Sequence, residues 1–288
     1  MARVAIVTDS AADLTPADAR AAGITVVPLE VTFGTERFRA GVDLTTEEFW
    51  ARMLAPEAPF PTTAAASPGD FRDAFEACFA AGAEAIVCVD IAETLSGTIR
   101  SARIAREMLP GREIEIVDSR TASMGVGLLA LLAAELAAAG RSAPEIASAI
   151  EQRRDDIDLY VALDTLEYLR KGGRISGAQA AIGGLLSVKP IITVREGLVV
   201  TADRVRTRAR ARERCLELLT ARPAERVSIL HTMAPDVEAF RAELIRRIPG
   251  GIDPARVSIQ PVGPSVGPHL GPGCLGGVVL LERSAPGA

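Results

Sequence analysis

From Ala2 to about Asp158 the chain alternates short β-branched runs with helical patterns of about ten residues or more, and that alternation restricts the fold most. ARVAIVT (2–8) reads as a strand buried on both faces, and ITVVPLEVTF, EAIVCVDI and EIEIVDS as further strands. Between them lie DLTPADARAAG, with Thr15 as N-cap, Pro16 at the first helical position and Gly23 at the end, and LTTEEFWARML, where Thr46 precedes two glutamates. Ser67-Pro68-Gly69-Asp70 opens FRDAFEACFAAG; LSGTIRSARIAREML and APEIASAIEQRRDD are further helices. Strands joined through such helices form right-handed crossovers, hence a mainly parallel sheet with helices on both faces.

Past Asp158 the pattern changes. LYVALDT is a strand and LEYLRKG a short helix, while KPIITVREGLVVTADRVR is a hairpin turning at Glu196-Gly197. VSILHT, VSIQPV and GVVLLE are strands, with two helices between Thr207 and Ile248 and a Gly/Pro-dense loop from Gly263 to Gly277. The expectation is an α/β protein of two domains. Residues 1–158 form the N-terminal α/β domain with a parallel sheet, and 159–288 the C-terminal α+β domain with a mixed sheet.

Several functions are disfavoured. Ala122–Ala139 is apolar apart from Glu135, but it is short, Ala-rich and closed by Gly140, so it reads as a helix buried in a packed domain and not as a membrane span. A formal net charge of −5 opposes bulk attraction to nucleic acid. Arg204, Arg206, Arg208, Arg210, Arg212 and Arg214 alternate, but from Thr207 onward a helix spreads them over several faces, and no aromatic residues interleave. They read as a solvated surface. Cys78, Cys88, Cys215 and Cys274 are far apart and give neither a zinc ribbon nor a disulfide framework, as suits a reducing cytoplasm; MARVAIVTDS does not read as a signal peptide. No metal site or cofactor is expected. G-x-x-x-x-G-K-[ST] does not occur, Gly125-x-Gly127-x-x-Ala130 lies inside the apolar helix, and Ser96 sits in TLSGT without a nucleophile elbow.

In an open parallel sheet, ligands bind at the carboxyl ends of strands. Thr8-Asp9-Ser10, Thr94-Leu95-Ser96-Gly97-Thr98 and Asp118-Ser119 fall there, and Pro61-Thr62-Thr63 lies in a loop before a helix. Such residues are also ordinary N-caps, which competes with a ligand role for Asp9 and Asp118. Ser96-Gly97 is the stronger site, because glycine admits a ligand to the backbone and free N–H groups favour an anion. His269, between Pro268 and Leu270, reads as a ligand-facing donor, and His231 as a strand-end residue with a satisfied ring. Hydroxyls without a base suit holding a carboxylate or phosphate better than attacking one. Arg170-Lys171-Gly172-Gly173-Arg174 places three cations around a turn: a helix C-terminus or an anion site.

These pieces together resemble the DegV family of bacterial proteins. The matching runs are VTDSAADL, VVPLEV, PTTAAASPGDF, LSGTIRSA, IVDSRTASMGVG, LDTLEYLRKGGRIS, LLSVKPII and HLGPG, in order along almost the whole chain. The resemblance implies a deep apolar tunnel between two domains that carries one long-chain fatty acid. It also implies that the carboxylate is presented to a separate ATP-binding fatty acid kinase subunit, which makes acyl phosphate for phospholipid synthesis. By the same resemblance Thr63, Ser96 and His269 hold the carboxylate, Thr62, Gly97 and Thr98 line the mouth, and Arg174 faces the kinase subunit. One loop departs from the family pattern: where Thr-Ser-Gln-Pro-Ser is usual, Thr63 is followed by Ala64-Ala65-Ala66-Ser67, one head-group hydroxyl fewer. The competing enzyme reading is a lipid ester or thioester hydrolase with Ser96 as nucleophile and His269 as base; a third reading is a DNA-binding regulator using the arginine-rich helix.

Overall fold

The computed structural model describes residues 3–175 and 188–283; Ser176, residues 185–187 of the LLSVKPII run, Ala2 and the tail past Arg283 lie outside the described residues. In chain order β1 (Val4–Asp9), α1 (Pro16–Ala21), β2 (Ile24–Val27), β3 (Glu30–Phe33), β4 (Glu36–Arg39), α2 (Thr46–Met53), β5 (Thr62–Ala64) and α3 (Pro68–Ala80) come first. They are followed by β6 (Ala85–Asp90), α4 (Thr98–Glu107), β7 (Glu113–Asp118), α5 (Met124–Ala138) and α6 (Ala143–Arg153). The remainder is β8 (Ile157–Ala162), α7 (Glu167–Lys171), β9 (Lys189–Arg195), β10 (Leu198–Val205), α8 (Arg208–Leu219), β11 (Ala224–His231), α9 (Val237–Arg247), β12 (Val257–Pro261), α10 (Gly267–Leu270) and β13 (Leu275–Leu281).

The strands form an all-parallel sheet β2-β1-β6-β7, a mixed sheet β10-β9-β8-β13-β11-β12 and a small antiparallel sheet β4-β3-β5. Four sequence expectations need correction. ITVVPLEVTF is not one strand. Pro28 lacks a donor and breaks it, and Leu29 donates its N–H to Ser10 Oγ at 2.8 Å, so β2 and β3 join different sheets. Residues 62–64 are a strand, β5, against β3. The Gly/Pro loop contains a helical turn, α10. The cap of α2 is also Thr45, one residue earlier than read, in a capping box with Glu48. The hairpin turn stands as expected, with Glu196 at φ 49° and Gly197 at φ 75°.

Helix α5 packs on β1 and β6 of the parallel sheet and on β13, β11 and β8 of the mixed one. Protein on both sides explains a helix with no polar face: Met124 through Ala130 are all buried. Its glycines are packing residues, not a dinucleotide fingerprint. A Cβ on Gly127 would lie 2.7 Å from the Ala12 carbonyl, and one on Gly125 2.3 Å from Thr121 Oγ1. One apolar core therefore runs from Ile6 and Val87 through α5 to Val161 and Val278.

In β13, Gly276 opposes Val161, and a Cβ there would sit 2.1 Å from the Tyr160 carbonyl oxygen. The β8 backbone that it would meet cannot yield. Gly276→Ala is expected to lower stability by about 3 kcal/mol, whereas Gly69→Ala, whose nearest neighbour would be Ser67 Oγ at 3.5 Å, leaves the melting temperature within about 2 °C. Thermal unfolding of the two variants side by side checks this; equal melting temperatures would refute it.

Candidate functional site

Beside the N-terminus of α5, between the two larger sheets, lies a cavity with about 700 Å³ of space between its atoms, mouth included. Its walls are apolar. Leu159 and Val161 of β8, Ile192 and Val194 of β9, Val199 of β10 and Leu230 of β11 face it, each pair two residues apart as strand alternation requires. Leu29, Ile91 and Leu95 close it from the parallel-sheet side.

Four polar side chains named from the sequence line this same space: Thr63, Ser96, Arg174 and His269. β5 positions Thr63 through its pairing with Val31. His269 rides on α10, which sits where it does because Gly267 has no side chain: a Cβ would be 2.6 Å from the Phe49 ring. Beside it, Trp50 donates its indole N–H to the Val262 carbonyl at 2.9 Å. Gly172 at the end of α7 is equally constrained, since a Cβ there would meet His269 Nδ1 at 2.0 Å. His269 Nε2 and Thr63 Oγ1 are 3.1 Å apart and share a hydrogen bond, while the buried Nδ1 has no partner among the described residues.

Burial, and then the nearby Arg174 charge, push the His269 imidazole down to about 4, so it is neutral at pH 7. Ser96 Oγ lies 2.7 Å from Thr98 Oγ1 and accepts the Thr98 N–H at 3.3 Å, at the N-terminus of α4. That end carries partial positive charge. Arg174 donates from Nε to the Leu95 carbonyl (3.1 Å) and from Nη1 to the Gly172 carbonyl (2.7 Å). It ties the Ser96 loop to the turn under His269. The arrangement presents hydroxyls, a neutral imidazole and one cation to the end of an apolar bore, which suits a carboxylate with a long tail.

The other sequence candidates separate. Thr62 points to the opposite side of β5 from Thr63 and is exposed; Gly97 is the exposed N-cap of α4, and Thr98 is fully buried beneath Ser96. None of the three lines the cavity. Thr8 donates to the Val89 carbonyl, Asp9 accepts from the N–H groups of Ala11 and Ile91, and Asp118 accepts from that of Arg120. These are structural caps. Lys171 pairs with Glu167 and lies 5.4 Å over the Phe60 ring. His231 is half-buried away from the cavity, and its Nδ1 is not satisfied as expected but has no partner among the described residues. The hydrolase reading fails on geometry: the Ser96 hydroxyl meets Thr98 and not His269, and no acid orients the imidazole among the described residues.

Sequence reasoning missed Ser123 and Ser265, whose residues also line the cavity. Ser123 donates to the buried Asp13, whose other oxygen accepts the Gly263 N–H, and Ser265 shares a hydrogen bond with Ser10 at 2.7 Å. Ser123 reaches there by adopting φ 53°, which no sequence pattern signals. The apolar wall was readable, since its residues repeat every second position.

An α/β chain with an apolar bore between its two larger sheets and a polar mouth defines a class of small-molecule binding protein, and comparison with known proteins narrows it. A family model described as "Uncharacterised protein, DegV family" matches residues 3–282, and the chain belongs to that family. A DegV domain-containing protein of Deinococcus radiodurans is 37% identical over 285 residues, covering 97% of this chain and 98% of that one. Among solved structures, a fatty-acid-binding DegV family protein from Thermus thermophilus superposes with TM-score 0.86 at 33% identity, covering 97% of this chain and all (100%) of that one. DegV of Bacillus subtilis, a fatty acid binding protein, does so with TM-score 0.85 at 29% identity, covering 98% and 100%.

The imidazole of His269 in labelled protein is expected to stay neutral down to about pH 4 by NMR. Arg174→Gln should raise that value, though not to 6.5, because burial is the larger cause. Stability follows the same sign. Between 6.5 and about 4 the unfolded chain takes up a proton that the fold refuses, so His269 costs stability as pH falls through that window. A wild-type midpoint near 6.5 would overturn the assignment.

Proposed function

We propose that this chain is a carrier subunit, not itself an enzyme, that binds one long-chain fatty acid in the cavity and presents its carboxylate to a separate ATP-dependent fatty acid kinase subunit for acyl phosphate formation in the cytoplasm. The observation that carries this reading is the meeting of Thr63, Ser96, Arg174 and His269 at one apolar bore. The fatty acids bound by the Thermus and Bacillus relatives support it. We further propose the two domains 1–158 and 159–288; that division lies within two residues of the start of β8, at Ile157.

Magnitudes assign the roles. At about 0.8 kcal/mol per buried methylene, a C16 tail contributes up to about 11 kcal/mol against ordering and association costs. The tail then sets affinity and the mouth sets pose. Hydroxyl donors at Thr63 and Ser96 and the charge of Arg174 hold an ionised carboxylate at the mouth. One of its oxygens attacks the terminal phosphorus of ATP held by the partner, the bond to the leaving ADP breaks, and acyl phosphate forms. Such a transfer is governed by alignment, so a displaced head group costs rate before it costs binding. Ala64 puts a methyl group where the family usually has a serine hydroxyl next to the head group; the Ala65 Cβ is 3.9 Å from where a Cβ on Gly97 would be.

Native mass spectrometry of freshly purified protein should show one co-purified long-chain fatty acid per chain, and palmitate or oleate should raise the melting temperature of stripped protein. Neither a bound acid nor a shift would sink the carrier reading. With palmitate, ATP and the kinase subunit, His269→Ala should keep the fatty acid but lose at least about tenfold in acyl phosphate rate. Arg174→Ala, which removes the cation beside the head group and unties the Ser96 loop, should likewise lower the maximal rate at least about tenfold. Unchanged rates in both variants would refute these roles.

A further inference from the structure

Set in the wall of the bore are two serines that the head-group reading does not use. Ser123 and Ser265 both border the cavity and are only 3% and 4% exposed. They come from segments far apart in sequence, and buried hydrogen bonds join those segments. Ser123 donates to Asp13 Oδ2, Asp13 Oδ1 accepts the Gly263 N–H at 2.9 Å, and Gly263 is two residues from Ser265. Ser265 in turn shares a 2.7 Å hydrogen bond with Ser10, whose Oγ also accepts the Leu29 N–H at 2.8 Å.

These bonds leave hydrogen-bonding capacity unused. The Ser10–Ser265 pair carries two hydroxyl protons, and one of them lies between the two oxygens. The Leu29 N–H is a donor, so the second proton has no acceptor among the described residues. Ser123 Oγ gives its proton to Asp13 and receives none among the described residues. Anchoring the start of α5 to the loop before α10 accounts for the bonds that are made. It does not account for a spare proton and a spare oxygen on a wall that, away from the mouth, is built of Leu, Ile, Val and Ala. Buried polar capacity without a partner is costly, and a ligand atom would remove that cost.

We propose that Ser265, with Ser123, is a subsite for a hydroxyl group carried on the acyl chain a few carbons from the carboxylate, so that the bore prefers hydroxylated long-chain fatty acids to plain ones. The inference rests on the carrier reading, which supplies the acid. A ligand hydroxyl fits the serine pair whichever way it is oriented. It accepts the Ser265 proton when Ser10 donates to Ser265, and it donates to the Ser265 oxygen when Ser265 donates to Ser10. The Ser123 oxygen is a second acceptor for its proton. A keto or ether oxygen only accepts and fits one orientation. The place along the chain follows from α10. The His269 N–H bonds to the Val266 carbonyl, so Ser265 lies one helical turn, about 6 Å, before the histidine at the mouth. A hydroxyl at the methyl end of the chain is out of reach of both serines.

Calorimetry on stripped protein compares palmitate with 3-hydroxypalmitate, 5-hydroxypalmitate and 16-hydroxypalmitate. The better of the 3-hydroxy and 5-hydroxy acids should bind at least about threefold tighter than palmitate, the size of one net hydrogen bond, and the 16-hydroxy acid at least about threefold weaker. Ser265→Ala should abolish the gain over palmitate. Ser265→Cys keeps the side-chain volume and should abolish it too, so a misfolded alanine variant does not decide the outcome. Wild-type protein that binds palmitate but gains from neither the 3-hydroxy nor the 5-hydroxy group would overturn the subsite and leave the carrier reading intact. A gain that both variants retain, or one that 16-hydroxypalmitate shares, would do the same. Wild-type protein that binds none of the four acids would overturn the carrier reading and this subsite with it.

Discussion

Helix α5 is the constraint on which the rest of the architecture depends. A helix that packs against a parallel sheet on one side and a mixed sheet on the other has no solvent-facing stripe, so apolar residues are favourable at every position of its first half. It also holds the two sheets about a helix diameter apart, roughly 10 Å. Where its N-terminus begins, no helix fills that gap, and the facing β-branched and leucine side chains of both sheets border an opening. The bore is therefore a consequence of how the sheets are spaced and not a defect in packing. Glycines at 125 and 127 let the helix seat tightly on Thr121 and Ala12, which fixes the spacing.

The mouth is assembled from four segments distant in sequence, and close approach is what brings them together. Gly172 and Gly267 supply room for the histidine and for the aromatic pair of α2, while Gly271 at φ 73° turns the chain away beside the Tyr168 ring. Arg174 then ties two of the segments through backbone carbonyls. A guanidinium so engaged is fixed in direction, and its field acts on whatever occupies the mouth. It disfavours imidazolium, adding to the larger effect of burial, and it favours carboxylate, so the same charge supports a neutral histidine and an anionic ligand.

The parallel sheet, its helices and their caps were legible because periodicity and capping are local properties. Ser67 with Asp70 and Thr15 with Pro16 do in the structure what their types dictate. The mouth was legible residue by residue only through resemblance. No local rule distinguishes Ser96, which faces the bore, from Asp118, which caps a turn, because both are polar residues at the carboxyl ends of neighbouring strands of the same sheet. β5 escaped notice since three residues carry too little alternation, and Thr63 differs from its exposed neighbour Thr62 only by which side of that strand it occupies. The resemblance set Arg174 toward a kinase subunit; its place along the cavity depends on the Gly172-Gly173 turn folding it back onto the carbonyls of Leu95 and Gly172.

Behind the bore the electrostatics run opposite to those at the mouth. Burial raises Asp9 to about 6 and Asp13 to about 7, and Asp90, facing Asp9 across adjacent strands, is raised further by its neighbour's charge. For these groups the fold binds protons that the unfolded chain has released, so their contribution to stability declines as pH rises from about 4 through 7. His269 acts the other way, penalising the fold as pH falls from 6.5 toward 4. Asp13 holds Ser123 and the Gly263 N–H, and Ser123 borders the cavity wall, so ionisation of this carboxyl tightens acceptance from both donors while raising its desolvation cost. A neutral imidazole at the entrance and the burial-raised carboxyls of Asp13 and Asp90 behind the wall limit the formal charge beside the bore. The cation of Arg174 is then the charged group left beside the polar end of a ligand, and only an anionic head complements it.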